Sequence, residues 1–462
     1  MGEKNYESIL RFTHVALWLT TMAEFDNLKL THICIKNKNI VSAWYNRLSG
    51  KLDVSGRVNL HTATQFLAGV TMFENTGDSS LIIDLTNVEQ AYPNGMLPIL
   101  CTVDQLREKA YTVEIILPYN FNVLNFFKKV NWAYFLDPNE FEKADDYFDR
   151  HFVTIKYENA KEQKKIVDSF MDVALRSISL KRDLIEGLEW CVNEITDNVL
   201  NHSNSESGGY FQAILYPSSE TINFAVCDGG QGILNSLKEG YSYLKTDLQA
   251  MNEAIKQGVT RNNAIGQGNG LAGTVNVSTM TGGSFEMMSG TGRMYISGDN
   301  DSDRIEMRDS QYFYGTIVSA NIKSNAIDFS AEKALTLNRA KYSAPSSVLE
   351  TIYERDDIDA LQIKMNEESG GFGTRKSGSG LRQKVINLLE SEPTYPIIID
   401  WTGVVSISSS FADEFIGKLF LEMGMLTFAA RVRNIGLNNL TSGLIDKAAS
   451  QRLTQAKDDK EE

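Results

Sequence analysis

The chain has 462 residues, 42% of them hydrophobic and 23% charged, which places it among ordinary globular proteins and excludes the disordered and fibrous classes. Its length exceeds one comfortable core and predicts about two to four domains. With 59 acidic against 45 basic residues the net charge is -14, which disfavours nucleic acid and anionic membranes as partners, since no run of Lys or Arg offsets it.

Residues 1 to about 78 scatter aromatics among polar residues, with a weak amphipathic pattern near Ser8 to Met22 and no assignable chemistry. The opening MGEKNYESILRF lacks the basic-then-apolar order of a signal peptide, and no stretch approaches the ~18 apolar residues of a membrane span. Cys34, Cys101, Cys191 and Cys227 lie far apart without zinc-ligand spacing. His32 and Cys34 therefore read as strand side chains, and the expected compartment is a reducing cytoplasm. From Ser80 the pattern sharpens: LIIDL (Leu81 to Leu85) reads as a buried strand, Met96 to Lys109 as a helix and Tyr111 to Pro118 as another strand. Strand, helix and strand in that order imply parallel pairing.

The segment DLIEGLEWCVNEITDNVLNHSNS sets Leu184, Leu188, Cys191, Ile195 and Val199 along one helical stripe toward a core. Glu194 and Asn198, one turn apart on a neighbouring face, can converge on one site. An amide oxygen there suits a hard cation such as Mg²⁺, and a carboxylate beside it can orient and deprotonate an attacking group. YFQAILY and INFAVC read as two strands, the second alternating sides before it ends in Asp228. A carboxylate at that strand end can accept a hydrogen bond from an adenine amino group, with Gly230 and Gly232 letting a purine approach the backbone. DLQAMNEAIKQG reads as a helix capped by Gly258. Then VTRNNAIGQGNGLAG places Gly266, Gly268 and Gly270 directly before a helix, where backbone N–H groups and a helix N-terminus can face phosphates.

Taken in order, these motifs resemble the GHKL ATPase family, which includes gyrase, MutL, histidine kinases and anti-sigma serine kinases. NEITDNVLNH is similar to its first box, DGGQG to the adenine box, GQGNGL to the lid and phosphate box, and YGT (Tyr314 to Thr316) to the terminal Gly-Thr. The resemblance spans roughly residues 165 to 322. It implies an α/β class chain with a central Bergerat-fold ATPase domain that takes ATP and Mg²⁺. It further implies Asn198 as Mg²⁺ ligand, Glu194 as catalytic base and Asp228 as adenine anchor. Gly230, Gly232, Gly266, Gly268, Gly270 and Leu271 would line the nucleotide, and Thr316 would lie on the adenine side. The Glu-x-x-x-Asn-x-x-x-His arrangement ending in His202 is most similar to the anti-sigma kinase branch. His202 also reads as a helix-end histidine meeting the C-terminal dipole. Arg261 reads either as a γ-phosphate contact or as a solvated side chain.

After a polar linker, a third block shows a strand at Ile358 to Met365, a glycine-rich loop SGGFGTRKSGSG, a helix from Leu381 to Leu389, the strand IIID and a helix carrying Phe411, Phe415, Leu419 and Met423. This block resembles STAS-like domains, the fold of anti-sigma-factor antagonists, in which a serine before the helix is phosphorylated. Ser408, Ser409 and Ser410 stand at the matching position, where Ser410 with Asp413 also reads as an ordinary helix cap. Residues 80 to 140 resemble the same fold more loosely, with Pro93-Asn94-Gly95 in place of the serines, which makes a cryptic repeat one reading of the chain.

The expected organisation is an amino-terminal region 1–148, STAS-like over about 80–140, a nucleotide-binding domain 150–325, a linker 326–347, a STAS-like domain 348–453 and a charged tail 454–462. The expected activity is that of an ATP-driven regulatory switch or serine kinase. A nucleotide-bound scaffold without turnover is the alternative. The organisation also implies a protein partner engaged through the STAS-like flanks, or a second copy of the chain in a homodimer.

Overall fold

The computed structural model describes residues 42–144, 147–148, 151–238, 240–256, 270–299, 302–335, 349–355 and 357–461. His32, Cys34, the pattern at Ser8 to Met22, Gly258, Arg261, Gly266 and Gly268 lie outside the described residues. The chain is mixed α/β, built on three sheets.

The first sheet follows the order β1-β2-β3-β4. It comprises β1 (Ala43–Asn46), β2 (Lys51–Val58), β3 (Ser80–Ala91) and β4 (Thr112–Ile116). β1 pairs antiparallel with β2, whereas β2, β3 and β4 run parallel, as the strand-helix-strand pattern predicts for β3 and β4. Helices α1 (Leu60–Glu74) and α2 (Pro93–Glu108) make the crossovers. Asn59 caps α1 by accepting from the amides of His61 and Thr62. β1, β2 and α1 have no counterpart in the sequence reading, although α1 buries Leu60, Ala63, Phe66, Leu67, Val70 and Phe73. Pro93-Asn94-Gly95 forms the first turn of α2, and a side chain at Gly95 would drive its Cβ to 2.6 Å from the Val58 carbonyl. Glycine thus lets α2 start against the end of β2. Two short helices, α3 (Phe121–Lys129) and α4 (Trp132–Leu136), complete this unit.

The second sheet has the order β5-β6-β7-β8-β10-β9 and every pairing in it is antiparallel. Its strands are β5 (Tyr147–Phe148), β6 (His151–Tyr157), β7 (Gly209–Tyr216), β8 (Thr221–Asp228), β9 (Ser284–Asp299) and β10 (Ser302–Lys323). Between them lie α5 (Ala160–Ser177), α6 (Arg182–His202), α7 (Gly232–Lys238), α8 (Asp247–Ala254) and α9 (Gly270–Met280). On one face, Phe211, Phe224, Met287 and Ala320 pack with Phe170 of α5, Leu188 and Cys191 of α6 and Val277 of α9. The predicted stripe Leu184, Leu188, Cys191, Ile195 and Val199 is buried along its length.

The opposite face of this sheet is also covered. Tyr210, Ala225, Cys227, Met288, Phe313 and Ile317 join one apolar cluster with Leu97, Leu100 and Trp132 of the first unit. Trp132 Nε1 donates to Gln212 Oε1 at 2.8 Å across that seam. The sides alternate as expected for INFAVC, with Ile222, Phe224 and Val226 in the core cluster on one face and Ala225 and Cys227 in the cluster on the other. From Phe224 to Asp228 every residue of β8 is buried, because helices cover both faces.

The third sheet is parallel, in the order β11 (Leu361–Lys364), β12 (Ile397–Asp400) and β13 (Val432–Ile435). Between β11 and β12 lies α11 (Arg375–Ser391), which follows the small helix α10 (Ala331–Leu335) in chain order. The second crossover is α12 (Ser409–Ala412), a π-turn (Asp413–Gly417), α13 (Lys418–Met423) and α14 (Met425–Arg431). The chain closes on α15 (Asn439–Glu461). Three expectations change here. The glycine-rich run is not all loop, since Arg375 to Gly380 form the first turns of α11, capped by Thr374 accepting from the Ser377 amide. The start of the linker is packed, with Phe329, Ala331 and Ala334 buried. The charged tail continues α15. In each case a neighbouring surface or helix extends order into residues whose composition alone reads as loop.

This third unit docks on α5 through buried polar groups. Asn387, fully buried, donates to the carbonyls of Leu175 and Ile178 and accepts from the Leu180 amide. Lys384 is 1% exposed and bonds Asp172 at 2.6 Å and Glu368 at 2.7 Å. No helix among the described residues is long and apolar enough to cross a membrane.

Candidate nucleotide site and flanking serines

α6 has a continuous apolar stripe on one side and leaves Glu194 and Asn198 on another. α9 crosses close to that side. A Cβ added to Gly270, the first residue of α9, would stand 2.8 Å from Glu194 Oε2 and 3.4 Å from Asn198 Nδ2. The absence of a side chain at Gly270 thus lets the helix N-terminus approach both groups. Further along, a Cβ on Gly273 would meet the Trp190 ring at 2.3 Å, so glycine spacing sets how tightly α9 seats on α6. Glu194 is pushed up to about 7 by burial first and by the neighbouring charge of Asp197 second. Leu271 lies half-buried against the small cluster of Leu237, Leu244, Ala250 and Ala254 contributed around α7 and α8.

Asp228 ends β8 and is the Cα partner of Thr316 in β10. The residue is 6% exposed, and its carboxyl is pushed up to about 7 by burial, against the pull of hydrogen bonds from the backbone of Gly230 and Thr316. The Gly230 amide donates to Asp228 Oδ1 at 2.8 Å. The glycines after Asp228 have distinct jobs. A Cβ on Gly230 would strike the Ser203 carbonyl oxygen at 2.1 Å, so this loop folds onto the end of α6, little more than one helical turn past Asn198. Gly232 takes φ +76 as the chain turns into α7. Gly315, φ +134, passes so close to the Asp228 carbonyl that no side chain fits. Thr316 Oγ1 lies 3.1 Å from Ser289 Oγ, and Ser289 Oγ accepts from the Ile233 amide. Ser289 thus links α7 to the strand pair, a role with no sequence signal because its partners are distant in the chain. His202 sits in the last turn of α6, and its carbonyl accepts from Gln231 Nε2.

In the third unit, Ser408 rather than Ser410 is the helix cap: its Oγ accepts from the Phe411 amide at 3.0 Å and lies 3.0 Å from Ser410 Oγ. Asp413 is instead committed to Arg452 Nε and Nη2 at 2.8 and 2.7 Å, which draws it away from the cap. Ser409 is exposed. α12 packs on α11, α11 on α5 and α5 on α6.

A family model described as a STAS-like domain of unknown function (DUF4325) matches residues 377–441. The chain carries a STAS-like domain at its carboxy-terminal side. The match begins within α11 and covers β12, the three serines and β13, so the serines belong to the STAS-like domain itself. No curated protein matches the chain.

Proposed function

We propose that the chain is an ATP-dependent switch of GHKL type, in which nucleotide held between α6 and α9 sets the state of the STAS-like domain or of a protein partner. The observation that carries this reading is the meeting of Glu194, Asn198 and Gly270 beside a loop anchored by Asp228. An antiparallel sheet with α5, α6 and α9 on one face is consistent with the Bergerat layout that the motifs imply. The residues fit the group: a buried carboxyl for the base, two polar side chains one turn apart for metal and nucleophile, and an 11-residue helix starting in glycine for phosphate.

Bound Mg²⁺–ATP would supply an electrophilic γ-phosphorus whose bond to the β,γ-bridging oxygen would break, with ADP as the leaving group. Asp228 accepts from the adenine amino group, its carboxylate already oriented by the Gly230 amide. Asn198 offers its amide oxygen to the cation. Glu194, raised to about 7, takes the proton of the attacking hydroxyl near neutral pH, where a base of that strength is most effective. The hydroxyl comes from water in an ATPase and from serine in a kinase. Ser409 and Ser410 are the acceptors compatible with the fold, since phosphate on Ser408 would remove the cap of α12. These serines are separated from α6 by α11 and α5, which favours transfer to another molecule over transfer within one chain.

A nucleotide-bound scaffold without turnover is the second reading. It is favoured by the buried polar docking of Lys384 and Asn387, which ties the STAS-like domain to α5. Incubation with ATP radiolabelled at the γ-phosphate separates the two. Free phosphate or labelled protein supports the switch. Stoichiometric retention of unchanged ATP supports the scaffold, and no retention at all overturns both.

A further inference from the structure

α2 belongs to the first unit, yet one stripe of it follows the chain around Asp228. Cys101 Sγ lies 3.4 Å from Cys227 Sγ, the residue before Asp228. One turn on, Gln105 Nε2 donates to the carbonyl of Gly229 at 3.0 Å and to the carbonyl of Tyr314 at 2.8 Å. One turn further, Lys109, which ends the helix, holds its Nζ 5.1 Å from the centre of the Tyr314 ring and bonds Glu74 at 2.7 Å. Asp104, on the adjoining face, accepts from Lys156 Nζ at 2.8 Å and Tyr210 Oη at 2.6 Å, which fixes the rotation of α2 on the sheet.

Gly229 directly follows Asp228, and Tyr314 stands two residues before its strand partner Thr316. Gln105 therefore ties together the two chain segments that leave the Asp228–Thr316 pair. One side-chain amide satisfies both carbonyls, neither of which has a strand partner at that point. A Cβ on Gly229 would come 2.8 Å from Gln105 Nε2, so the amide is seated directly against the loop.

We propose that Gln105 is a positioning residue for the base end of the nucleotide site, so that the first unit completes that site. The inference rests on the nucleotide reading above. Without the two bonds, the Gly229 loop and the Tyr314 segment part, Asp228 loses its fixed direction, and ordering them falls to the ligand. Because the clamp acts at the base end, its loss weakens every adenosine ligand by the same factor, whatever its phosphates.

The test measures binding of ATP and of ADP, each with Mg²⁺, to the full chain and to Gln105→Met, which keeps the side-chain length and removes the donors. Two lost hydrogen bonds predict Kd values raised about tenfold for both ligands. Gln105→Lys, which restores a donor, should recover part of the affinity. Melting temperature without nucleotide, read alongside, reports any general loss of stability. Equal affinities in wild type and Gln105→Met, or a loss confined to ATP, overturn the clamp and leave the nucleotide reading standing. If wild type binds neither ligand, the nucleotide reading falls and the clamp with it.

Discussion

Gly270 lies so near Glu194 that a Cβ built on it would stand 2.8 Å from Oε2 and 3.2 Å from the Glu194 Cβ. The carboxylate is thus held by contact with the first turn of α9. Glu194→Ala should bind ATP about as tightly as wild type and release or transfer phosphate ~10² to 10⁴ times more slowly, the usual worth of general-base assistance. Gly270→Ala should also slow turnover, by displacing the carboxylate. Single-turnover phosphate release beside calorimetric affinity checks both. Normal turnover in Glu194→Ala removes the base assignment.

Asp228→Asn replaces the acceptor that the Gly230 amide orients. A lost charged hydrogen bond is worth about 2 kcal/mol, or roughly thirtyfold in Kd. Calorimetry with ATP should show at least that weakening, and an unchanged Kd would exclude Asp228 as adenine anchor.

Asn198→Ala should abolish the Mg²⁺-dependent part of ATP affinity and leave the fold intact, since its amide stands beside Gly270 and outside the apolar stripe. Titrations with and without Mg²⁺ decide. If the difference between them equals that of wild type, Asn198 holds no cation.

Glu194 and Asp228 give the free protein a pH signature. Both keep their protons to about 7, whereas their ordinary values are 4.5 and 3.8. Between those limits the native state binds more protons than the unfolded chain. Stability contributed by these groups therefore falls as pH rises through the window and levels above it. Each contributes a loss on the order of 3 kcal/mol. Urea unfolding from pH 4 to pH 8 should show that loss in wild type relative to a Glu194→Gln, Asp228→Asn double variant. Equal slopes for the two proteins would show that neither carboxyl is raised.

Lys384→Met would leave Asp172 and Glu368 with Arg176 as their remaining cation. Breaking a buried ion pair from one side costs about 3 to 5 kcal/mol. Chemical unfolding should register that loss. A change below 1 kcal/mol would mean that the STAS-like domain is held on α5 chiefly by Asn387 and apolar contacts.

What was legible in the sequence was local periodicity. The stripe from Leu184 to Val199, Leu81, Ile83 and Leu85 of LIIDL, the three isoleucines of IIID and Phe411, Phe415 and Leu419 depend on neighbours in the chain and are buried. Ile82 and Met423 of the same patterns are only partly covered. The convergence of Gly270 on Glu194 was anticipated only through motif order, because no local pattern dictates which helices cross. Gln105, Ser289 and Asn387 gave no signal, since each acts through partners more than twenty residues away. β1, β2 and α1 were missed because their burial is supplied by the rest of the unit. The cap at Ser408 was misassigned by two residues because the pull of Arg452 on Asp413 comes from another helix.

The double covering of the second sheet bears on how the molecule can be taken apart. A fragment spanning only residues 151–323 would bare Tyr210, Ala225, Cys227, Met288, Phe313 and Ile317 as one continuous oily surface. Such a fragment should associate with itself or come out of solution, however well its own helices pack. The same surface packs against the first unit, so a larger side chain at Ala225 or Cys227 would require a smaller one on α2. Related chains that lack the first unit should carry polar residues at these six positions.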